Sequence, residues 1–243
     1  MTASILTHLA DNGVLTITLN RPEVLNSLDE SLTLGLVDAM HEVKTDSAAR
    51  AVVITGAGRA FCAGADLNAR SWPAVKGVSA GEATAANMER GFNPLVKAVA
   101  QSTKPVVTAI NGVAAGGGVG LALAGDIAVA AETAMFRLVF GPNLGIIPDM
   151  GASWFLPNLV GRARANGLAL LGDSLSASDA KAWGLIWDCV ADEDLLPTAL
   201  TLAGRLADGP TAGLKAVVKA HDRALSNTLS AVSYTHLTLP TKA

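Results

Sequence analysis

Hydrophobic and polar residues alternate, or form short apolar runs, through the first part of the chain. Residues 4–9 and 14–19 flank Asn12-Gly13, a pair typical of a tight hairpin turn, so they are predicted to form antiparallel strands. From Asp29 onward, apolar residues recur at helical spacing, and an aspartate at that position is suited to cap the helix. The chain is therefore predicted to open with a ββα unit.

Three uninterrupted apolar runs, at residues 51–55, 105–110 and 127–131, are each predicted to form a buried parallel strand. A helix that carries Leu95, Val96 and Val99 lies between the first two runs, as a strand–helix–strand crossover requires. After Asp149 the pattern is almost wholly helical, apart from an apolar stretch at 185–190. Helices are predicted over residues 152–160, 162–171, 177–183, 193–208 and 212–225.

Two segments depart from this periodic pattern. Residues 68–86 are rich in Ala, Gly, Ser and Pro, which predicts a mobile surface loop or lid. Residues 232–243 have no helical period, and they resemble the translated end of a transposase-based sequencing adapter. We therefore expect one domain over residues 1–231 followed by a non-native tail, with an ordinary frayed terminus as the alternative.

Composition excludes several classes of protein. Half of the residues are hydrophobic and only 16% are charged, so the chain can bury a large core. A net charge of -3 without a basic cluster argues against a nucleic-acid partner, and no apolar stretch is long enough to predict a membrane span. Two cysteines give neither a disulfide framework nor metal-ligand spacing, and no signal peptide is evident. We predict a cytoplasmic protein without a metal.

Two glycine-rich turns are the segments whose backbone amides could bind a negatively charged group. The first glycine turn, residues 56–67, and the second glycine turn, residues 111–120, each follow a predicted buried strand. Glycine permits close backbone approach to a ligand, and free amides at a helix start attract negative charge. Side by side, the two turns would form an oxyanion hole. The alternative is that these glycines serve only tight packing of helix on sheet. No phosphate-binding loop or dinucleotide motif is present, so no cofactor is predicted.

Four motifs resemble the enoyl-CoA hydratase/isomerase (crotonase) family in order and spacing. They are NRPEVLNSL at 20–28, FCAGADL at 61–67, NGVAAGGG at 111–118 and GIIPDMG at 145–151. The resemblance implies an α/β fold, a crotonase-like spiral of ββα units with a helical C-terminal section. It also implies an acyl-CoA substrate, in which coenzyme A is part of the substrate and not a cofactor. A homotrimer or hexamer is the assembly typical of the family, provided that the C-terminus is intact.

The resemblance also assigns residues to the site. The amides of Ala65 and Gly117 would hold the thioester oxygen. The positions that would line the path of coenzyme A are Val24, Leu25, Ala63, Gly64, Asp66 and Leu67.

Hydratases of the family use two glutamates, and this chain has Gly120 and Gly141 at those positions. The one carboxylate in the corresponding loop is Asp149. The segment 141–195 is most similar to a subgroup, the 1,2-epoxyphenylacetyl-CoA isomerases, in which the matching aspartate is the catalytic base. The residues alone favour a cap for the helix that begins near Gly151 as the role of Asp149, and the resemblance reverses this preference.

Other candidate side chains receive structural roles. Asp66 is expected to order its loop by accepting amide hydrogen bonds, and Asp126 to hold a turn at the start of a strand. The tryptophans Trp154, Trp183 and Trp187 could line a pocket, but their spacing favours core packing. The histidines His8, His41, His221 and His236 lie apart from the glycine turns, and no catalytic role is assigned to them.

A single carboxylate beside an oxyanion hole suits an isomerase, because one group can remove a proton and return it at another carbon. The predicted function is therefore an acyl-CoA isomerase, which opens an epoxide to an oxepin or shifts an enoyl-CoA double bond. The alternatives are a hydrolase or dehalogenase in which Asp149 is the nucleophile, and a non-catalytic member that only binds acyl-CoA.

Overall fold

The computed structural model describes residues 3–68, 77–228 and 231. Within these ranges, ten strands form two sheets, one of six strands in the order β1-β2-β3-β5-β7-β10 and one of four in the order β4-β6-β8-β9. The strands are β1 (Ile5–Leu9), β2 (Val14–Leu19), β3 (Ala51–Gly56), β4 (Ala60–Cys62), β5 (Val106–Ile110), β6 (Val113–Ala115), β7 (Ile127–Ala131), β8 (Met135–Arg137), β9 (Ser174–Ser176) and β10 (Asp188–Val190).

Eight α-helices accompany these strands in the described ranges. They are α1 (Glu30–Thr45), α2 (Ala80–Asn87), α3 (Asn93–Ala100), α4 (Gly117–Leu123), α5 (Ala152–Leu171), α6 (Ala177–Trp183), α7 (Leu195–Ala207) and α8 (Thr211–Ala224). None of them is both long and apolar enough to cross a membrane.

The large sheet confirms the strands predicted from the apolar runs. The strands β1 and β2 pair antiparallel, and β2, β3, β5, β7 and β10 are parallel. Strands β3, β5 and β7 are buried along most of their length, as expected for a parallel sheet that is covered on both faces. The helix α1 begins as predicted, because the side chain of Asp29 accepts a hydrogen bond of 2.8 Å from the amide of Leu32.

The small sheet was not predicted. Each of its strands has only three residues, too few to show the alternation that identifies a strand in sequence. Strand β4 pairs parallel with β6, β6 with β8, and β8 antiparallel with β9. Because β4 follows β3 and β6 follows β5, this sheet is the feature that holds the two glycine turns together.

The loop predicted at 68–86 is wrong for its second half. Helix α2 begins at Ala80, with a capping box in which the Ser79 hydroxyl accepts from the amide of Glu82 and the Glu82 carboxylate accepts from the amide of Ser79. The glycines, serines and prolines of this segment and its lack of an apolar period favour a loop, whereas the alanines and the capping box at residues 79–86 favour a helix. Residues 69–76, and the tail predicted at 232–243, lie outside the described residues.

The helical C-terminal section is confirmed. Helix α5 is interrupted at Gly161, where φ is +76°, so the two helices predicted on either side of that glycine are both present. Helix α7 packs against β3, β5 and β7 of the large sheet. Helix α8 is attached by the buried Lys215, whose ammonium donates to Asp126 Oδ1 over 2.6 Å. The hydrophobic core is continuous from Val14 to Ala207.

Candidate active site

The two glycine turns meet edge to edge. The pairs Ala60 with Val113 and Cys62 with Ala114 join the β4 and β6 segments of the turns. At Gly118, the approach is so close that a methyl group would lie 2.0 Å from the carbonyl oxygen of Cys62. Only glycine allows this contact, so the prediction that these glycines serve tight packing is confirmed for Gly118.

The same packing places two backbone amides at the surface of the site. A methyl group on Gly64, where φ is +87°, would lie 3.0 Å from the amide nitrogen of Gly117. Gly117 is the first residue of α4, so its N–H lacks a partner within the helix. Leu28 and Ala65 form a parallel bridge, in which the amide of Leu28 donates to the carbonyl of Gly64 and the carbonyl of Leu28 accepts from the amide of Asp66. The N–H of Ala65 therefore points away from Leu28.

The segment that follows β2 runs alongside the first glycine turn. The carbonyl of Leu25 accepts from the amide of Ala63 (3.0 Å), and Leu28 bonds to Gly64 and Asp66 (2.8 and 3.0 Å). These bonds bring together the residues that the resemblance placed along the coenzyme A path. Their solvent exposure differs. Gly64 is buried, whereas Leu25, Ala63 and Asp66 are half-buried. Val24 and Leu67 are exposed.

An ionic network that the residues alone did not predict fixes this arrangement. The Arg21 guanidinium donates two hydrogen bonds of 3.0 Å to Asp66 Oδ2 and one of 2.7 Å to the carbonyl of Ser27. It also lies 3.3 Å from the Asp29 carboxylate. Asp66 Oδ1 accepts from the amide of Asn68, which confirms the predicted loop-ordering role of Asp66. The guanidinium therefore ties the first glycine turn to the start of α1.

Asp149 lies at the junction of the two turns. Its Oδ1 would be 3.3 Å from a methyl group placed on Gly117, so the carboxylate faces the first turn of α4. Oδ1 is buried and has no hydrogen-bond partner among the described residues. Burial raises the pKa of Asp149 to about 6, although a hydrogen bond from its own backbone amide counteracts part of the shift. An unpartnered carboxylate with this pKa is suited to accept and return protons near neutral pH.

The capping alternative for Asp149 is wrong. Gly151 occupies the position before α5 with φ +80°, and no side chain caps this helix. Two successive left-handed residues, Met150 at φ +51° and Gly151, turn the Asp149 side chain away from the helix start. Asp126 has a structural role as expected, but it links separate elements and does not hold a turn, because its Oδ2 accepts from the amide of Val106 in β5 over 2.8 Å.

The two positions at which family hydratases carry glutamates are sterically closed here. A methyl group on Gly120 would lie 2.2 Å from the carbonyl oxygen of Met150, and one on Gly141 would lie 2.6 Å from that of Ala169. Backbone atoms cannot rotate away, so neither position accepts a larger residue without a backbone shift.

The aromatic and metal-ligating residues add little to the site. The prediction that the tryptophans belong to the core is wrong for Trp154 and Trp187, whose side chains are 48% and 68% exposed. Trp183 is half-buried. Among the described residues, the histidines lie in β1, α1 and α8, away from the glycine turns, and no group of three or more His, Cys, Asp or Glu side chains is arranged to hold a metal.

Cys62 lies directly under the site, in β4. Its side chain is fully buried, and this burial raises the pKa of its thiol to about 12. At neutral pH the group is therefore a thiol and not a nucleophilic thiolate.

Comparison with known proteins agrees with this architecture. The family model for enoyl-CoA hydratase/isomerase matches residues 10–242. The chain is 48% identical over 225 residues to 1,2-epoxyphenylacetyl-CoA isomerase of Escherichia coli K12, covering 93% of this chain and 84% of that protein. It is also 41% identical over 219 residues to a probable enoyl-CoA hydratase of Rhodobacter capsulatus, covering 90% and 81%.

Solved structures show the same fold. A putative enoyl-CoA hydratase/isomerase from Mycobacterium abscessus superposes with a TM-score of 0.88 at 34% identity, over 97% of this chain and 89% of that one. An enoyl-CoA hydratase from Bacillus anthracis gives 0.88 at 32% identity, with the same coverage. The protein belongs to the enoyl-CoA hydratase/isomerase family and has the crotonase fold. Its relatives include both isomerases and hydratases, so the site itself must indicate the reaction.

Proposed function

We propose that this protein is an acyl-CoA isomerase that uses Asp149 as its only proton-transfer group. The observation that carries the proposal is the buried Asp149 carboxylate, which has no partner on Oδ1 among the described residues and faces Gly117 at the start of α4. Glycines at positions 120 and 141 leave this carboxylate without a second acid or base of the kind that family hydratases use.

In the proposed mechanism, the thioester oxygen lies between the amides of Ala65 and Gly117. Removal of a proton from the acyl chain by Asp149 places negative charge on that oxygen, where each donor is worth roughly 3 kcal/mol. The carboxyl group then returns the proton at a different carbon. Because its pKa is about 6, Asp149 is ionised in the resting enzyme at pH 7.5 and is still acidic enough to give the proton back.

The proposed substrate is 1,2-epoxyphenylacetyl-CoA, with an enoyl-CoA double-bond shift as a related activity of the same site. Two observations support it: the similarity to the Escherichia coli isomerase, and a site that offers one carboxylate and not two. The proposed coenzyme A path runs along Val24, Leu25 and the segment 63–67, which the hydrogen bonds of the first glycine turn hold together.

A panel of thioesters tests the proposal. The purified protein is incubated with 1,2-epoxyphenylacetyl-CoA, a 3-enoyl-CoA, crotonyl-CoA and 4-chlorobenzoyl-CoA. Products are separated by liquid chromatography. Isomers, which keep the mass of their substrate, are identified by NMR, and products of hydration or dehalogenation by mass spectrometry. We expect isomerisation of one or both of the first two and very weak hydration of crotonyl-CoA. Hydration at roughly 10 per second or more would refute the single-carboxylate mechanism. Release of chloride would identify Asp149 as a nucleophile, and binding without turnover would identify a non-catalytic member.

A further inference from the structure

A slot on α4 is filled by one residue of the neighbouring loop. Gly117 and Gly120 are three positions apart, so they lie on the same face of the helix. A methyl group on Gly117 would lie 2.9 Å from Met150 Cγ, and one on Gly120 would lie 2.7 Å from Met150 Cβ. Met150 is 2% exposed and thus fills the slot with both its side chain and its carbonyl.

The backbone of Met150 is held in an unfavourable conformation. Its φ of +51° is in the left-handed region, which a long side chain adopts only when its surroundings impose it. This turn points Asp149 toward α4. The next residue, Gly151, also has positive φ, and a methyl group there would lie 2.6 Å from the ring of Phe155, so the loop is constrained on its other side as well.

We propose that Met150 is a positioning residue: seated in the Gly117–Gly120 slot, it holds the Asp149 carboxylate against the first turn of α4 and closes position 120 to any side chain. Met150 Cγ and Asp149 Oδ1 lie 2.9 and 3.3 Å from the same methyl position on Gly117, so shortening the buried methionine would leave room for water next to the carboxylate. Because Met150 occupies the space beside Gly120, position 120 cannot hold a second carboxylate, and Asp149 is left as the carboxylate of the site. Only the effect on turnover rests on the proposed isomerase function, because the placement of Asp149 is a property of the unliganded protein.

The first test needs no substrate. Protein labelled with ¹³C at aspartate carboxyl carbons is titrated by NMR, and the Asp149 signal is assigned by its absence in Asp149→Asn. We expect a midpoint near 6 in the unmodified protein. Met150→Ala should admit water and lower the midpoint by about one pH unit, while Met150→Leu, which keeps the volume, should restore most of the shift. Identical midpoints in all three proteins would overturn the proposal.

The second test adds a group to the slot. Gly120→Ala forces a displacement of the Met150 carbonyl, so kcat should fall about 10-fold or more while the Kd of a non-reactive thioester changes little. Gly167→Ala in α5 is the matched control, because a methyl group there meets open space. Met150→Gly removes the clash with Cβ, and glycine lets the Met150 backbone move away from the methyl group. The double variant should therefore lose less than the product of the two single losses.

The two tests together distinguish the possible failures. Full kcat and an unchanged titration midpoint of Asp149 in Gly120→Ala would refute the proposal that Met150 in the slot positions Asp149. If Gly120→Ala does not fold, the comparison of Met150→Ala with Met150→Leu decides the proposal. If the unmodified protein isomerises no thioester and the midpoints behave as expected, the proposed function fails and the positioning role of Met150 stands.

Discussion

Two carboxylates withdrawn from water have opposite surroundings in this protein. Asp126, at the start of β7, accepts from Lys215 through one oxygen and from the amide of Val106 through the other. Asp149, beside the first turn of α4, has a buried oxygen without a partner among the described residues. Burial raises the pKa of both, but for Asp126 the ammonium of Lys215 and the Val106 amide counteract it.

The difference separates a carboxylate that holds the fold from one that is available for chemistry. A buried charge with all of its partners fixes the elements that supply them, here β5 and α8. A buried carboxylate with one unpartnered oxygen costs folding free energy when it is ionised, and this cost raises its pKa toward neutral pH, where it can take up a proton. Four predictions test whether the two carboxylates differ in this way.

Asp149→Asn should give the largest effect. The amide keeps the shape of the side chain but cannot take a proton, so kcat for isomerisation should fall about 10³-fold or more. Binding of the thioester should be nearly unchanged, because the proposed contacts to coenzyme A come from other residues. Steady-state kinetics and calorimetric titration measure the two quantities. A variant that retains most of its kcat would remove Asp149 from the mechanism.

Lys215→Met should destabilise the fold. It leaves the Asp126 carboxylate buried beside an apolar side chain, at a cost of about 3–5 kcal/mol in the free energy of unfolding. Urea denaturation measures the loss. Lys219→Met, an exposed position one turn further along α8, is the control and should change stability by less than about 0.5 kcal/mol. Equal effects of the two substitutions would show that the buried pair contributes little.

Asp149→Asn should also stabilise the protein at alkaline pH. The folded carboxyl has a pKa of about 6 against 3.8 as the ordinary value, so the native state binds the proton more tightly than the unfolded state does. Stability of the unmodified protein is therefore lost as pH rises from 4 to 6, by roughly 2–3 kcal/mol in total. The variant should be more stable than the unmodified protein at pH 8 and should lose this advantage near pH 4. A pH-independent difference would contradict the raised pKa.

The pH dependence of catalysis gives the smallest effect. On the acidic side, kcat/KM should fall about tenfold per pH unit below a midpoint near 6, because only the ionised Asp149 removes a proton. Acyl-pantetheine thioesters serve as the control, since they have no phosphate that titrates in this range. Absence of the acidic limb with both substrates would show that another group is the base.

The large sheet was predictable, because β3, β5 and β7 bury short apolar runs and because β1 and β2 flank a hairpin turn, both of which are patterns of local sequence. The four strands of the small sheet were not, since three-residue strands carry no period. Helix α2 has a signal in the sequence, the capping box formed by Ser79 and Glu82. The glycines, serines and prolines around it and the absence of an apolar period favour a loop instead.

For the candidate site, sequence identified the glycine turns and Asp149, but it could not show how the aspartate is oriented. That orientation depends on the left-handed turn at Met150, which no propensity predicts for a methionine. The partnership of Lys215 with Asp126 was equally hidden, because the two residues are 89 positions apart. Arg21 was visible within the NRP motif, although its bond to Asp66 was not.

The buried thiol of Cys62 can report how often strand β4 opens locally in the native protein. A water-soluble alkylating reagent can reach Cys62 only after β4 has separated from its neighbours, whereas Cys189 is already half-buried at the edge strand β10. The ratio of the two labelling rates thus measures how often the floor of the site opens in the native state. A thioester that binds across the glycine turns should slow the labelling of Cys62 and leave that of Cys189 unchanged.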